Sequence, residues 1–513
     1  MNSIAGWFTG TNRFVAVSST IIAALFVALI LANPEFAMSL QGAPQQFIAR
    51  HLSGYLFWVV TLYMVFTVVL ALTPYGRITL GKDGEQPEFS RFSWFAMLFS
   101  AGVGTGILFW GVAEPIFHLQ ANPFLVAEGV TALSPEAGFL AQRITLFHWG
   151  LHGWAVYSMV GLCLGYFSFR KGLPLTIRSA FEPFLGARIY GPIGNFIDLL
   201  AVFSTLFGIA VTLGLGVSQM ASGLEYLFGI RATPLSKLVL ILVVSSIATL
   251  SAVSGVSRGI RRLSELNIWL SILLIGFIVI AGPTLAIGVS YVVGTADYFA
   301  KFLPMGVWVD PDPDSGWQTA WTIFYWGWWI SWGPFVGMFM ARISRGRSLR
   351  EYVAGTLLAP TLIGFLWLCV FGATALDIQL NGAGGLVKAV NTDMTQALFT
   401  TFELLSVDWA TWPVVLLATT LIVTWFVTSS DSGTLVICTI ICVGAEHPPR
   451  FLRVYWGVVI GLVAGLLLLA GGLVALQAAS TIIAIPFSAV LVLMLLGLAK
   501  SLWQTESLQK PVI

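Results

Sequence analysis

Long apolar runs dominate the chain and predict its secondary structure. Twelve runs of about 18 or more residues are apolar enough to form membrane-spanning helices. They lie near residues 14–33, 52–73, 93–113, 140–168, 192–218, 236–254, 264–289, 318–341, 352–375, 412–440, 454–474 and 478–499. The first run lacks the small-residue cleavage site of a signal peptide, so we expect it to be retained. The pattern predicts an all-α integral membrane protein with twelve transmembrane helices.

The basic residues between the runs predict the orientation of the spans. If the N-terminus is cytoplasmic, all but six of the 25 lysine and arginine residues fall on the cytoplasmic side. The six exceptions are Arg50, Arg143, Arg231, Lys237, Lys301 and Lys388. Because basic loops stay in the cytoplasm, we expect both termini to be cytoplasmic and the protein to cross the cell (inner) membrane many times.

Two runs are interrupted by helix-weakening residues. The third run contains SAGVGTG (100–106), and the eighth contains Gly327, Gly333 and Pro334. We expect both helices to be kinked or unwound there. Non-helical backbone at membrane depth is tolerated where protein buries it or where it lines a cavity, so the interruptions are expected to face each other across an internal site. The alternative is that the glycines only permit close helix packing.

The two interrupted runs begin two groups of five runs, the third to seventh and the eighth to twelfth. Because five is odd, the groups have opposite orientations in the membrane, which makes them an inverted repeat. Interrupted spans at matching positions of two such halves indicate a transporter binding site. We predict an N-terminal segment with two peripheral spans (1–92), two repeats (93–290 and 318–499) and a short cytoplasmic tail (500–513).

The eighth run is rich in tryptophan, with five in residues 321–332. On a helix, Tyr325, Trp329 and Trp332 share one side, and Trp328 overlaps it. Aromatic ring faces attract cations, and a quaternary ammonium suits them because it has no N–H donor. The run therefore predicts an onium-binding site, with core or interfacial packing as the alternative.

The fourth run, FHWGLHGWAVY, places Trp149, Trp154 and Tyr157 near one another and predicts further rings opposite the eighth run. His148 and His152 stand four residues apart, a spacing that can bind zinc. No acidic residue lies between or just after them in the sequence. We therefore expect neutral histidines that hydrogen-bond a neighbour.

The tenth run contains TSSDSG (428–433), a polar cluster in an apolar segment. Polar and ionisable groups inside the membrane are candidate functional groups. Thr428 and Ser429 offer hard oxygen ligands for an alkali cation. Backbone carbonyls of the third run could complete its coordination shell. The alternative is that these hydroxyls bond the carbonyls of their own helix. Glu114 and Asp198 lie near span ends, and we assign them no role.

Composition supports the membrane interpretation. Only 9% of the 513 residues are charged and 57% are hydrophobic, unlike a soluble protein. The four cysteines lie in apolar runs without zinc-ligand spacing, which favours neither disulfides nor a metal knuckle.

DPDPDSG (310–316) lacks the glycine and glutamate of a calcium loop, and we expect a solvated turn. No HExxH, Ser/His/Asp set or redox-ligand pattern is visible, so we expect neither an enzyme nor a cofactor.

Three segments together resemble the betaine/choline/carnitine transporter family. They are GVGTGILFWGVAEP (102–115), the tryptophan segment running into ARISRGRSLREYV (341–353), and TSSDSGTL (428–435). The resemblance implies a homotrimer. In each protomer, two peripheral helices would precede a ten-helix (5+5) inverted-repeat core of the LeuT type. It also implies alternating-access transport of trimethylammonium-type compounds.

The resemblance also implies site residues. Substrate would be bound by Trp149, Trp154, Tyr157, Trp326, Trp328, Trp329 and Trp332. The main sodium site would fall on Ser100, Val103, Trp425, Thr428 and Ser429. A second sodium site would fall on Thr205, Thr212 and Phe335, but Ile209 stands where a hydroxyl is expected, which leaves two-sodium stoichiometry in doubt.

These observations predict a sodium symporter that imports a quaternary ammonium or related onium compound. Sodium-independent exchangers of the family carry an arginine in the seventh span, and the corresponding NIWL (267–270) contains none. Osmosensing members of the family have a long basic C-terminal tail, whereas only Lys500 and Lys510 follow the last run here, so we do not expect activation by osmotic stress through such a tail. Substrate exchange within the same family remains an alternative, as does a channel, which would need polar rings along a pore. Betaine, choline, carnitine, ectoine and dimethylsulfoniopropionate are not distinguished.

Overall fold

A computed structural model describes residues 10–102, 104–254, 257–405 and 407–506. Within these ranges the protein is helical without β-strands, and an isolated antiparallel bridge joins Thr79 and Ser348. We number the helices of twelve or more residues. They are α1 (Arg13–Ala32), α2 (Ser53–Leu72), α3 (Arg91–Gly102), α4 (Thr105–Gln120), α5 (Pro135–His148), α6 (Leu151–Gly165), α7 (Pro192–Phe228), α8 (Pro234–Ser254), α9 (Ser257–Ala281), α10 (Thr284–Val307), α11 (Phe324–Ile343), α12 (Leu349–Leu380), α13 (Asp408–Ile441) and α14 (Arg450–Glu506).

Shorter helical segments connect these helices. The α-helical ones are Glu35–Ser39, Ala43–Phe47, Pro123–Glu128, Glu182–Leu185, Leu386–Asp393 and Ala397–Leu404. The 3₁₀ segments are Pro74–Arg77, Ile177–Phe181, Gly186–Tyr190, Pro313–Ser315 and Met394–Gln396, and the π-helical turns are Ile48–Leu52, Tyr166–Arg170 and Thr319–Ile323. In the predicted turn at 310–316, Asp310 accepts from the Asp312 N–H at 3.0 Å, and Asp312 accepts from the Asp314 N–H at 3.1 Å.

In the described part of the chain, eight helices are long and apolar enough to cross a membrane, as judged by length and composition: α1, α2, α7, α8, α9, α12, α13 and α14. They account for nine predicted runs, because α14 covers both the eleventh and the twelfth run and is divided at Gly472 (φ 67°), near the end of the eleventh. The third run corresponds to α3 and α4, the fourth to α5 and α6, and the eighth to α11. The protein is a helical, multi-pass membrane protein.

One predicted boundary is wrong. The seventh run is predicted to extend to residue 289, and no apolar run is predicted between residues 290 and 317. Instead α9 ends at Ala281, and α10 occupies Thr284–Val307. Pro283 explains the boundary, because proline has no N–H with which to continue the preceding helix. Helix α10 packs against α2, α5 and α12. Its Tyr298 is buried and contacts Phe365 of α12 at 4.8 Å.

The interruption in the third run is present, whereas the eighth run stays helical. Helix α3 ends at Gly102 and α4 begins at Thr105, with Gly104 extended (φ −118°, ψ −170°) between them. Helix α11 passes through Pro334 without interruption, so of the two predicted outcomes its backbone is not unwound there, and a kink at Pro334 stays a prediction. A single proline removes one donor, and membrane helices tolerate this when neighbouring helices surround them.

The fourth run has an interruption that its sequence does not predict. Helix α5 ends at His148 and α6 begins at Leu151. The freed Leu151 N–H donates to the hydroxyl of Tyr298 at 2.7 Å. Helix α10, the element missed from the sequence, thus satisfies the backbone at this break.

The tryptophan-bearing helix α11 lies at the centre of the protein. It packs against α6, α7 and α14. A Cβ atom on Gly337 would come within 2.6 Å of Val160 Cγ1, so this glycine is required for the close approach of α6. Close packing therefore does explain some of the glycines of this run, as the alternative interpretation holds.

Candidate functional site

Helix α11 presents a continuous group of aromatic rings on one side. Trp328 and Trp329 stack with ring centroids 5.0 Å apart and an angle of 12° between the rings. Tyr325 lies 5.7 Å from Trp329, and Trp332 meets Trp328 edge-on at 6.2 Å. The three- and four-residue spacing predicted from the sequence is the reason these rings adjoin.

The break between α5 and α6 brings a second group of rings to the first. Trp149 lies in the break, and its ring meets Trp329 at 5.0 Å and 71°. Tyr157 of α6 lies 6.1 Å from Trp329 and 5.8 Å from Trp154. We call the combined set the aromatic cluster: Trp149, Trp154, Tyr157, Trp328, Trp329 and Trp332. Each of these side chains is buried.

Trp326 does not join the aromatic cluster. Its ring stacks on His152 at 5.6 Å and 18°, and it also contacts Phe147 at 5.4 Å. No ring contact between Trp326 and a member of the aromatic cluster is found among the described residues, although Trp326 is only three residues from Trp329 on α11. The structure therefore brings together six of the seven predicted substrate residues and places Trp326 in neighbouring core packing.

Hydrogen bonds fix the edges of the indole rings. Trp329 Nε1 donates to the His148 carbonyl at 3.0 Å, and Trp332 Nε1 donates to the Gly208 carbonyl at 2.9 Å. By contrast, neither the Tyr157 hydroxyl nor Trp328 Nε1 has a hydrogen-bond partner among the described residues, although both are buried. The cluster thus combines oriented ring faces with two buried donors that a ligand can satisfy.

Glycines give the rings the space they occupy. A Cβ atom on Gly153 of α6 would lie 2.8 Å from Trp329 Nε1 and 2.9 Å from its Cδ1. A Cβ atom on Gly106 of α4 would lie 3.2 Å from Trp328 Cζ2. The positions of Trp328 and Trp329 therefore depend on the absence of side chains at these two residues.

Replacing Gly153 with alanine is expected to displace the Trp329 ring and weaken substrate binding. Overpacking of this kind typically costs about 1–3 kcal/mol. Gly288→Ala in α10 is the matched control, because nothing lies within 4 Å of the Cβ atom it adds. Substrate titrations of uptake by both variants test this, and equal KM values in the two would contradict the packing of Trp329 described here.

Glu114 is a functional candidate that the sequence analysis missed. It is fully buried rather than near a polar span end. Its carboxylate accepts from Trp149 Nε1 at 3.0 Å and from the Tyr325 hydroxyl at 2.5 Å, and it lies 2.6 Å from His148 Nδ1. A charged residue directly after an apolar run, followed by the further apolar residues Pro115–Phe117, was the available signal. Glu114 holds Trp149 and Tyr325 in place next to the cluster.

The position of Glu114 bears on whether His148 could help to bind a metal ion. Ligand atoms of Glu114, His118 and His148 all lie within 4.8 Å of one another, so the acidic partner missing from the local sequence comes from another helix. However, His148 is already bonded at both nitrogens, to Glu114 and, at 3.0 Å, to the Thr322 hydroxyl. The geometry is that of a hydrogen-bonded network, as expected for His148. His152 has no such partner among the described residues.

The break between α3 and α4 lies next to both the aromatic cluster and the hydroxyl segment of α13. A Cβ atom on Gly104 would lie 3.4 Å from Trp332 Cη2 and 3.7 Å from Ser429 Oγ. Of the predicted main sodium ligands, Val103 lies outside the described residues, as does the side chain of Ser100. The helix break, Trp332 and Ser429 nevertheless meet at one point.

The remaining predicted cation ligands lie on helices α7, α11 and α13. The Thr428 hydroxyl donates to the Trp425 carbonyl at 2.8 Å, which corresponds to the alternative interpretation of this segment. The hydroxyls of Thr205 and Thr212 likewise donate to their own helix, at 2.8 and 3.3 Å. Phe335 packs against Trp332 at 5.4 Å. Each threonine oxygen keeps lone pairs that can bind a cation.

Asp198 is a second buried acid that the sequence analysis misplaced. It is fully buried, and it accepts from Arg178 Nε at 2.6 Å and from the Arg178 N–H at 3.2 Å. This ion pair joins α7 to the 3₁₀ segment Ile177–Phe181. It lies apart from the aromatic cluster in the contacts described, and it satisfies two buried charges.

The fold and the site together define a multi-pass membrane protein with an aromatic-lined candidate binding site at its centre. A family model described as betaine/carnitine/choline family transporter (BCCT) matches residues 14–507. The chain belongs to this family, which confirms the resemblance seen in its sequence, and it is a transporter, not an enzyme.

Several curated relatives support this assignment. The glycine betaine transporter OpuD of Bacillus subtilis is 41% identical over 96% of both chains. The glycine betaine transporter of Acinetobacter baylyi is 40% identical over 96% of this chain and 74% of its own length. A glycine betaine/proline/choline transporter of Vibrio parahaemolyticus is 37% identical over 98% of this chain and 92% of its own.

Proposed function

We propose that the protein imports a betaine-type zwitterion by sodium symport. The observation that carries this proposal is the aromatic cluster, in which Trp149, Trp328 and Trp329 adjoin inside the protein. Ring faces at this spacing can replace the hydration of a trimethylammonium group, at about 0.5–2 kcal/mol for each cation–π contact. The relatives, named as transporters of glycine betaine and of proline and choline, support the same class of substrate.

The two unpartnered donors favour a zwitterion over a simple cation. Tyr157 and Trp328 each have a buried donor without a partner in the described part of the chain. A carboxylate is the acceptor that would satisfy both, and charge-assisted bonds of this kind are stronger than neutral ones. Glycine betaine has both a trimethylammonium group and a carboxylate, whereas choline has a hydroxyl in place of the carboxylate. We therefore expect glycine betaine to be preferred over choline.

Sodium would bind where the α3–α4 break meets α13. Its ligands would be backbone groups of Ser100 and Val103, the Trp425 carbonyl and the hydroxyls of Thr428 and Ser429. The proximity of Gly104 to Ser429 and Trp332 supports this location. A second ion at Thr205, Thr212 and Phe335 is the weaker part of the proposal, because Ile209 offers no oxygen.

The transport cycle would follow alternating access in a twelve-helix protomer. Two peripheral helices would precede a ten-helix, LeuT-type inverted repeat (93–290 and 318–499), with both termini in the cytoplasm of a cell (inner) membrane and three protomers in the assembly. Sodium between α3–α4 and α13 would favour the inward transition only when substrate is also bound. No cofactor is needed beyond the coupling ion.

The energetics allow a single sodium ion to drive accumulation. One charge crossing about 100 mV releases roughly 2.3 kcal/mol. For a substrate without net charge, this corresponds to about a fifty-fold gradient, since tenfold is about 1.4 kcal/mol. A sodium concentration difference would add to this value.

Uptake of radiolabelled glycine betaine into proteoliposomes is expected to require an inward sodium gradient and to increase when the interior is negative. The control is the same preparation with potassium replacing sodium on both sides. Accumulation that is equal in the two buffers and depends instead on preloaded internal substrate would contradict symport and establish exchange.

A further inference from the structure

A buried carboxylate stands directly behind the aromatic cluster. The Oε2 atom of Glu114 accepts from both Trp149 Nε1 at 3.0 Å and the Tyr325 hydroxyl at 2.5 Å. Trp149 belongs to the cluster, and the ring of Tyr325 lies 5.6 Å from that of Trp149 and 5.7 Å from that of Trp329. The carboxylate is therefore separated from the central rings of the cluster by one layer of aromatic side chains.

No basic side chain neutralises this carboxylate. Among the described residues, Glu114 forms no ion pair with a lysine or an arginine, and its only paired neighbours are two histidines. His148 Nδ1 lies 2.6 Å from Oε1, and its Nε2 faces the Thr322 hydroxyl, which can donate to it. His118 Nε2 lies 3.5 Å from the same Oε1, and neither nitrogen of His118 has a hydrogen-bond partner in the described part of the chain. An imidazolium would need an acceptor at each nitrogen, so both rings fit as neutral groups.

The donors around Glu114 match an ionised carboxylate. The indole N–H of Trp149 can only donate, and hydrogen bonds to a carboxylate stabilise its charge. A buried charge without a cationic partner is nevertheless costly. A cation bound at the cluster would offset that cost, so the neighbourhood of Glu114 favours a positively charged head group.

The same hydrogen bonds act on the rings of Trp149 and Tyr325. An N–H or O–H group that donates to an anion is polarised by it, which leaves the attached ring richer in electrons. Cation–π attraction depends on the negative potential of the ring face. Glu114 therefore strengthens the attraction of these two rings for a cation in addition to its own direct attraction.

We propose that Glu114 is a positioning residue that makes the aromatic cluster selective for a positively charged head group. It acts through Trp149 and Tyr325 and does not touch the substrate. Its negative charge attracts the onium group towards these rings and repels the carboxylate of the substrate from them. The inference rests on the proposed function, because it concerns how the aromatic cluster recognises a betaine-type zwitterion.

Two compounds of the same shape test the proposal. Glycine betaine carries a trimethylammonium group, whereas tert-butylacetate carries an uncharged tert-butyl group in its place and the same carboxylate. Their Kd values are measured by tryptophan fluorescence on the purified full-length chain at saturating sodium, with and without Glu114→Gln. Glutamine has the same shape as glutamate, and its carbonyl oxygen can accept from Trp149 and Tyr325 while its amide donates to His148.

We expect Glu114→Gln to raise the Kd of glycine betaine about tenfold, because the attraction between the buried charge and the onium group is lost. The Kd of tert-butylacetate should stay the same or fall, because the charge that repels its carboxylate is lost as well. A purely structural role of Glu114 would weaken the binding of both compounds alike. The ratio of the two Kd values therefore separates charge from packing.

Two further variants keep the charge of Glu114 and change its surroundings. Thr322→Val removes the hydroxyl next to His148 Nε2 and is expected to leave the ratio unchanged. Glu114→Asp retains the charge on a shorter side chain, and it is expected to preserve the ratio even where both Kd values rise. If Glu114→Gln does not fold, Glu114→Asp still decides the question.

The outcomes separate this inference from the proposed function. A ratio that Glu114→Gln leaves unchanged would overturn the role of Glu114 and leave the aromatic cluster supported. A ratio that narrows in Glu114→Asp or Thr322→Val would also overturn it. Equal binding of the two compounds to the unmodified chain would instead overturn the assignment of onium recognition to the aromatic cluster.

Discussion

Replacing Trp329 with leucine is expected to raise the apparent KM for glycine betaine uptake at least tenfold. Trp329 is the central ring of the cluster, with Trp149, Trp328 and Tyr157 as neighbours at 5.0, 5.0 and 6.1 Å. Loss of its face removes a cation–π contact and disturbs the adjoining rings, for a combined effect of about 1.4 kcal/mol or more. Substrate titrations of proteoliposome uptake measure the change.

Trp326→Leu is the matched control for this prediction. Trp326 lies on the same helix, is as fully buried, and packs on His152 instead of the cluster. Both substitutions remove core packing, so both are expected to lower the thermal stability of the transporter. Only Trp329→Leu should change the affinity. Equal changes of KM in the two variants would show that the tryptophans act only as core residues.

Replacing Thr428 and Ser429 together with alanine is expected to raise the half-maximal sodium concentration about tenfold, with a smaller effect on substrate affinity at saturating sodium. The affinity for an alkali cation depends on the number and geometry of its oxygen ligands, and this variant would lose two of the proposed ones. The hydrogen bond from Thr428 to its own helix is a weak alternative role, because such bonds add little to helix stability. Sodium titrations of initial uptake rates test this expectation.

Thr434→Ala is the control for the sodium variant. Its hydroxyl lies on the same helix and donates to the Ser430 carbonyl at 2.8 Å, away from the proposed ligands. We expect its sodium dependence to match that of the unmodified chain. If the double variant also keeps the original sodium dependence, sodium binds elsewhere.

Part of the site follows from helical periodicity. At about 100° per residue, Tyr325, Trp328, Trp329 and Trp332 share one stripe of α11, and the structure confirms this. The same angles place Trp326 beyond the edge of that stripe. The periodicity argument did not include Trp326, which came from the family resemblance, and Trp326 packs on His152.

Other parts of the site depend on contacts between distant segments. Glu114 is separated from His148 by 34 residues and from Tyr325 by 211, so no local pattern indicates that their side chains meet. The break at Gly150 likewise needs Tyr298, from a helix that the hydropathy pattern missed, to satisfy the Leu151 N–H. Sequence periodicity identifies the face of a helix but not the partner against which that face packs.

Glycine and proline were imperfect indicators of helix breaks. The alternating glycines Gly102, Gly104 and Gly106 coincide with a break, whereas Gly333 and Pro334 lie within the uninterrupted helix α11. In α11 the glycines provide room for neighbours, as Gly337 does for Val160. The same residue types thus weaken a helix in one place and permit close packing in another, and the surrounding helices determine the result.

A crystal structure of the transporter with glycine betaine and sodium tests the central claim most directly. We expect the trimethylammonium group within about 6 Å of the ring centroids of Trp149, Trp328 and Trp329, the range of cation–π contacts. The carboxylate should lie within hydrogen-bonding distance of the Tyr157 hydroxyl or Trp328 Nε1. A trimethylammonium group bound away from these indoles, with the rings still packed on one another, would contradict the account.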